Sequence, residues 1–165
     1  MRIYFDTEFT SLDKDADLIS IGLIAENGVE LYVEITDFRL EDCSGFVKEI
    51  VLPLLGKGDR IPECMTGMQF GLRFGYWLEQ FTEGEIAMFS DHSIDWKLLC
   101  EYCPELRTFP RKIKFKVWRH DPKFRAEVIE TRQAWLLANP GMEHHALYDA
   151  RLLKDLAERQ RELQS

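Results

Sequence analysis

The chain has 165 residues, of which 45% are hydrophobic and 30% charged, with a formal net charge of −8. That length fits a single domain over residues 1–165, and the composition is that of a soluble globular protein rather than a disordered or fibrous one. No apolar run reaches bilayer length and the N-terminus does not resemble a secretory leader, so the expectation is a cytoplasmic protein with no membrane partner.

The first ten residues (MRIYFDTEFT) read as a strand. Side chains alternate along a strand, so Asp6 and Glu8 share one face, opposite Ile3, Phe5 and Phe9. Two like charges held near a core repel each other and lose hydration, and a divalent cation relieves both problems. Taken alone, the pair fits a solvated strand end equally well.

A polar loop follows over 11–17. Residues 17–26 (DLISIGLIAE) form a second strand, and 29–35 (VELYVEI) a third with apolar alternation. Asn27-Gly28 between them is a hairpin signal, since both residues tolerate positive φ. A helix is predicted over 44–55, interrupted near Pro53, and then a Gly/Pro loop over 56–62. Residues 66–81 carry apolar residues at helical spacing, with three glycines that weaken the pattern.

A short strand over 85–90 and a helix over 91–103 come next. A strand at 112–118, a helix at 122–138 and a break at Asn139-Pro140-Gly141 precede a final helix from His145 to about 163. Three strands followed by strands alternating with helices imply an α/β fold: a mixed five-stranded sheet, three-strand meander first and parallel strands after, flanked by helices.

The four cysteines (Cys43, Cys64, Cys100, Cys103) include one CxxC with no second ligand pair at zinc spacing, so they read as reduced and mostly core. Between Arg107 and Arg125, eight Lys/Arg residues face a single acid, Asp121, a local net charge of +7 in a chain of net −8. Such a segment could meet phosphates, or could be the solvated faces of a strand and a helix.

Two further segments carry candidate chemistry. In Phe89–Leu99 (FSDHSIDWKLL), Asp91 and Asp95 lie at a strand-to-helix junction, the end of a parallel sheet where ligands bind. Asp91 reads as the helix cap and Asp95 as the functional acid. In Glu143–Leu153 (EHHALYDARLL), Asp149 falls on the stripe of Ala146, Leu153 and Leu156, which carries a charge toward the core. His144 cannot share that helical face and is placed in the entering loop, where an imidazole can take a proton near neutral pH.

Phe5-Asp6-Thr7-Glu8-Phe9-Thr10, then Asp95 before Trp-Lys-Leu-Leu, then His144-x-Ala-x-x-Asp149, resemble the three motifs of the DEDDh exonucleases. These are 3′-to-5′ exonucleases of ribonuclease H-like fold, among them oligoribonuclease, ribonuclease T and the proofreading subunit of bacterial DNA polymerase. The early DTEF and the long second and third strands resemble most the ribonuclease AS-like exoribonucleases, which act on adenylate-containing RNA. One departure is visible: Ser90-Asp91 stands where the common pattern has His-Asn before its motif II acid.

The resemblance implies that Asp6, Glu8, Asp95 and Asp149 hold two divalent ions, Mg2+ or Mn2+, and that His144 is the general base. It implies that backbone groups of Phe9 and Thr10 meet the terminal ribose and that Leu12 packs on the terminal base. It also implies a single-stranded RNA 3′ end as substrate and a homodimer. A DNA exonuclease of proofreading or repair type, or an inactive binding module on the same fold, are the alternatives.

Overall fold

The computed structural model describes residues 1–13, 15–107 and 109–165, Arg107 by its backbone alone. Lys14 of the predicted loop 11–17, and Thr108 with the Arg107 side chain in the basic stretch, lie outside the described residues. β1 (Arg2–Phe9), β2 (Leu18–Ala25) and β3 (Glu30–Ile35) form an antiparallel meander. In the hairpin between β2 and β3 only Gly28 takes positive φ, at 86°, and its N–H donates to the Ala25 carbonyl at 2.9 Å. Asn27 stays in the ordinary region, so one residue rather than two turns the chain.

β5 (Ile86–Ser90) pairs parallel with β1, and β6 (Ile113–Val117) parallel with β5. The sheet has six strands, not the expected five. Glu63–Met65, β4, pairs parallel with the outer side of β3 to give the order β4-β3-β2-β1-β5-β6. Three residues with an exposed Cys64 at their centre are too short to show a two-residue period, which is why the sequence reads there as loop.

α1 (Gly67–Glu79) and α2 (Ser93–Tyr102) cover one face of the sheet. There Phe70, Phe74, Trp77 and Leu78 of α1 and Leu99 of α2 bury Ile3 and Phe5 of β1 and Met88 of β5. A capping box closes the start of α1: Gln69 N–H donates to the Thr66 hydroxyl and Gln69 Oε1 accepts from Thr66 N–H. Two of its glycines are spacers. A Cβ on Gly71 would lie 2.6 Å from the Tyr102 carbonyl oxygen, and one on Gly67 2.4 Å from the Tyr102 ring.

The opposite face receives α4 (Ala146–Gln164), with α3 (Arg125–Ala138) packed on its outside. Tyr4 and Ile24 of the sheet meet Ala150, Leu153 and Ala157 of α4. The predicted helix over 44–55 is instead a wide π-turn segment, Val47–Val51, running into a 3-10 turn, Leu52–Leu54, whose Pro53 fits the turn's first positions. Ser44 starts it, its hydroxyl accepting from Val47 N–H at 3.2 Å. The segment packs Val47 and Val51 on Cys43 and Ile19 and forms one wall of the cleft described next.

Candidate active site

The α4 face of the sheet ends in a cleft of about 780 Å3 at the carboxyl ends of β1, β5 and β6. Strand alternation puts Asp6 and Glu8 on this face, as their spacing implies, while Ile3 and Phe5 go to the core. A bulge between Glu8 and Phe9 then interrupts the alternation, so Phe9 also lines the cleft. α4 delivers Asp149 from its first turn and α2 delivers Asp95 from its own first turn. The four acids of the three motifs therefore meet in one place, with His144 beside them.

Two sets of donor atoms are close enough to share an ion. Oxygens of Asp6, Asp91 and Asp95 lie within 4.8 Å of one another, and so do donor atoms of Glu8, His144 and Asp149. Asp95 is buried; its Oδ1 accepts the Thr7 hydroxyl at 2.7 Å, and its Oδ2 has no protein partner. An orphaned buried oxygen beside other carboxylates is what a missing cation would leave, and an all-oxygen set with one imidazole suits Mg2+ or Mn2+. The residues thus fit the divalent ions that the sequence suggests.

The electrostatics agree. Burial first, and then the Asp95, Glu8 and Asp149 carboxylates, hold Asp6 well above the usual carboxylate range. Burial with Asp149 pushes Glu8 up to about 9. Burial raises Asp95 to about 6 against the pull of the Thr7 hydrogen bond, and Asp149 to about 7 against the hydrogen bond from His144 N–H.

His144 is exposed in the loop before α4, at φ 65°, the one non-glycine residue at positive φ among the described residues. Its backbone N–H donates to Asp149 Oδ2 at 2.9 Å, which offsets the cost of that backbone region. The ring stands edge-on to Phe46, centroids 5.0 Å apart.

Two site expectations need correction. Asp91 is not the cap of α2: His92 is, its Nδ1 accepting from Ile94 N–H at 3.2 Å, and Asp91 joins Asp6 and Asp95 instead. Thr10 does not face the cleft. It is fully buried, its N–H donating to the Asp17 carbonyl, its carbonyl accepting from Ser44 N–H and its hydroxyl from Asp17 N–H, so its N–H is already committed. Leu12 is 85% exposed and lines the cleft.

Sequence reasoning missed Phe46 and Arg132, which line the cleft from the π segment and from α3. Arg132 pairs with Glu143 at 3.2 Å. Neither lies in a motif, and their placement depends on chain segments far away in sequence.

No family model matches the chain. Two curated relatives named 3′-5′ exoribonuclease, from two strains of Mycobacterium tuberculosis, are 44% identical over 55 residues. That stretch is 33% of this chain and 33% of either relative, so the match spans about a third of the relatives' length. Among solved structures, a full-length 3′-exonuclease superposes with a TM-score of 0.57 at 14% identity, covering 99% of this chain and 60% of that one. The nuclease domain of 3′hExo, a DEDDh family member bound to rAMP, gives 0.50 at 16% identity, covering 99% and 91%. These likenesses show that the chain shares the ribonuclease H-like fold of the two exonuclease structures.

Proposed function

We propose that this chain is a metal-dependent 3′-to-5′ exoribonuclease that releases nucleoside 5′-monophosphates from single-stranded RNA. The observation that carries the reading is the convergence of Asp6, Glu8, Asp95 and Asp149 from three separate elements on one cleft. RNA is favoured over DNA by the name of the partial relatives alone. The adenylate preference and homodimer of the resembled family are carried as proposals with it.

Asp6, Glu8, Asp95 and Asp149, with Asp91 in reach, would hold two divalent ions. When bound, such a pair neutralises the scissile phosphate and acidifies the attacking water. His144 then takes the water's proton: its ring is exposed, beside Glu8 and Asp149, and its backbone is fixed by the Asp149 carboxylate. Phe46 restricts the swing of that ring from one side. Leu12 and Phe9 give the terminal base an apolar seat, and contacts of this kind contribute about 1–3 kcal/mol per base.

Parallel digestion of 5′-labelled RNA and DNA oligomers with Mg2+ or Mn2+ tests the reading. Stepwise shortening of RNA from the 3′ end, with mononucleotide release, is expected. Shortening of DNA alone would assign a proofreading or repair enzyme, and no release from either would leave a binding module. Light scattering settles the partner: a homodimer has twice the 19.4 kDa chain mass.

A further inference from the structure

The cations of the 111–125 stretch are not equivalent. At the start of β6, Lys112 and Lys114 both face Glu85, at 3.8 and 2.8 Å, and Arg111 donates to the carbonyls of Glu83 and Leu78. Across the cleft, Arg132 is paired with Glu143. Lys116 and Arg119 lie at the other end of the strand, and among the described residues neither has a carboxylate within 4.0 Å. Among the described residues, Arg119 donates to the backbone carbonyls of Asp91 and Trp118.

The sheet register shows where this pair of charges sits. Lys116 is opposite Phe89 on β5, and Phe89 is opposite Tyr4 on β1. Side chains of opposed residues share a face, and Tyr4 shares its face with Asp6 two residues on. Lys116 is therefore on the carboxylate face, two strands and roughly 10 Å across from β1. Trp118, just past the end of β6, is part of the cleft wall, its N–H on the Ser90 carbonyl at 2.7 Å. Beyond the acids, the floor toward this edge is Leu152, Leu153 and Leu156.

An apolar floor bordered by cations that lack a close carboxylate suits a single strand: bases on the floor, phosphates on the charges. We propose that Lys116 and Arg119, beside Trp118, form an exit track that binds backbone phosphates of the RNA on the 5′ side of the scissile bond. This rests on the exonuclease reading and adds that the preferred substrate is a strand several nucleotides long rather than a dinucleotide. An acidic protein would thus place two cations without a close carboxylate on the carboxylate face of its sheet, where they can meet the strand.

The test is the salt dependence of binding, measured by anisotropy with fluorescein-labelled 12-mer and dinucleotide RNA in EDTA, alongside turnover of both in Mn2+. Lys116→Glu with Arg119→Glu should weaken 12-mer binding on the order of tenfold and flatten the log K against log salt slope by about 1.4, two phosphate contacts' worth. Dinucleotide turnover should not change in Lys116→Glu, which leaves the Arg119 bond to the Asp91 carbonyl in place. Lys116→Glu alone leaves the carbonyl bonds of Arg119 intact and should give about half the slope change, whereas Lys112→Glu, at the paired end, should give none.

An unchanged 12-mer slope in the double variant, or the same change in Lys112→Glu, overturns the track. If the parent protein releases no nucleotide while the slope still falls in the double variant, the activity fails and the track stands. Nucleotide release with an unchanged slope is the converse.

Discussion

Each motif acid sits where burial and its neighbours oppose its charge, and this has a measurable sign. The carboxyls of Asp6, Glu8, Asp95 and Asp149 are all raised in the folded chain, so the metal-free fold binds more protons than the unfolded chain does. Stability conferred by the protonated acids is complete below their ordinary values near 4 and is lost as pH rises toward about 9, where Glu8 ionises. Thermal melts in EDTA should therefore fall steadily from about pH 5 to 9. Asp6→Asn, which removes one repelling charge, should flatten that fall while abolishing turnover; parallel melting curves would show that the acids do not share a field. His144 is separable from them. His144→Ala should cost about 10^2- to 10^4-fold in rate, the usual worth of a general base, and leave calorimetric Mn2+ and RNA binding in place. Loss of Mn2+ affinity instead would make the imidazole a ligand.

Among elements, the position of α4 decides whether the site exists, and one residue of β2 sets it. Gly22 lies directly across from Asp6 in the ladder, and a Cβ there would be 2.2 Å from Leu147 Cα at the start of α4. The missing side chain lets the helix settle on the sheet close enough for Asp149 to reach Glu8. Gly22→Ala should cost about 1–3 kcal/mol, or more where backbone must move, read as a lowered denaturation midpoint together with weaker Mn2+ binding. An unaltered midpoint would mean that the helix has room to spare. The same helix end is anchored from the other side, where Arg151 bridges Glu30 at 2.6 Å and Asp59 at 2.9 Å and lies over the Tyr148 ring. Strand periodicity and the stripe on α4 were legible in the sequence because each is a local pattern. The role of Gly22, the short strand β4 and the π segment were not, because close packing, edge pairing and a widened turn are set by partners distant in the chain.

For the whole molecule, the cluster of acids is a junction. β1, α2 and α4 bring their acids together across both sides of the sheet, so without a cation the repulsion of these acids opposes the packing at one end of the core. This much followed from three spaced motifs, since Asp6, Glu8, Asp95 and Asp149 had to be reconciled with a core on a single sheet. The entry of Asp91 into the cluster did not follow, because its place depends on His92 having taken the cap. A cation that binds only the folded arrangement must stabilise all of it. At 100 times its dissociation constant an ion contributes about 2.7 kcal/mol per site, which for a chain of this size is roughly 5–11 °C in melting temperature. Mn2+ titrated into chelator-stripped protein should therefore raise the melting temperature by at least that much, and by about twice that if both donor sets fill. Asp95→Asn, which keeps the Thr7 hydrogen bond but removes the charge, should raise the metal-free melting temperature and shrink the Mn2+ increment. A protein that melts at the same temperature with millimolar Mn2+ as with EDTA has no such junction, and its acids then repel without purpose.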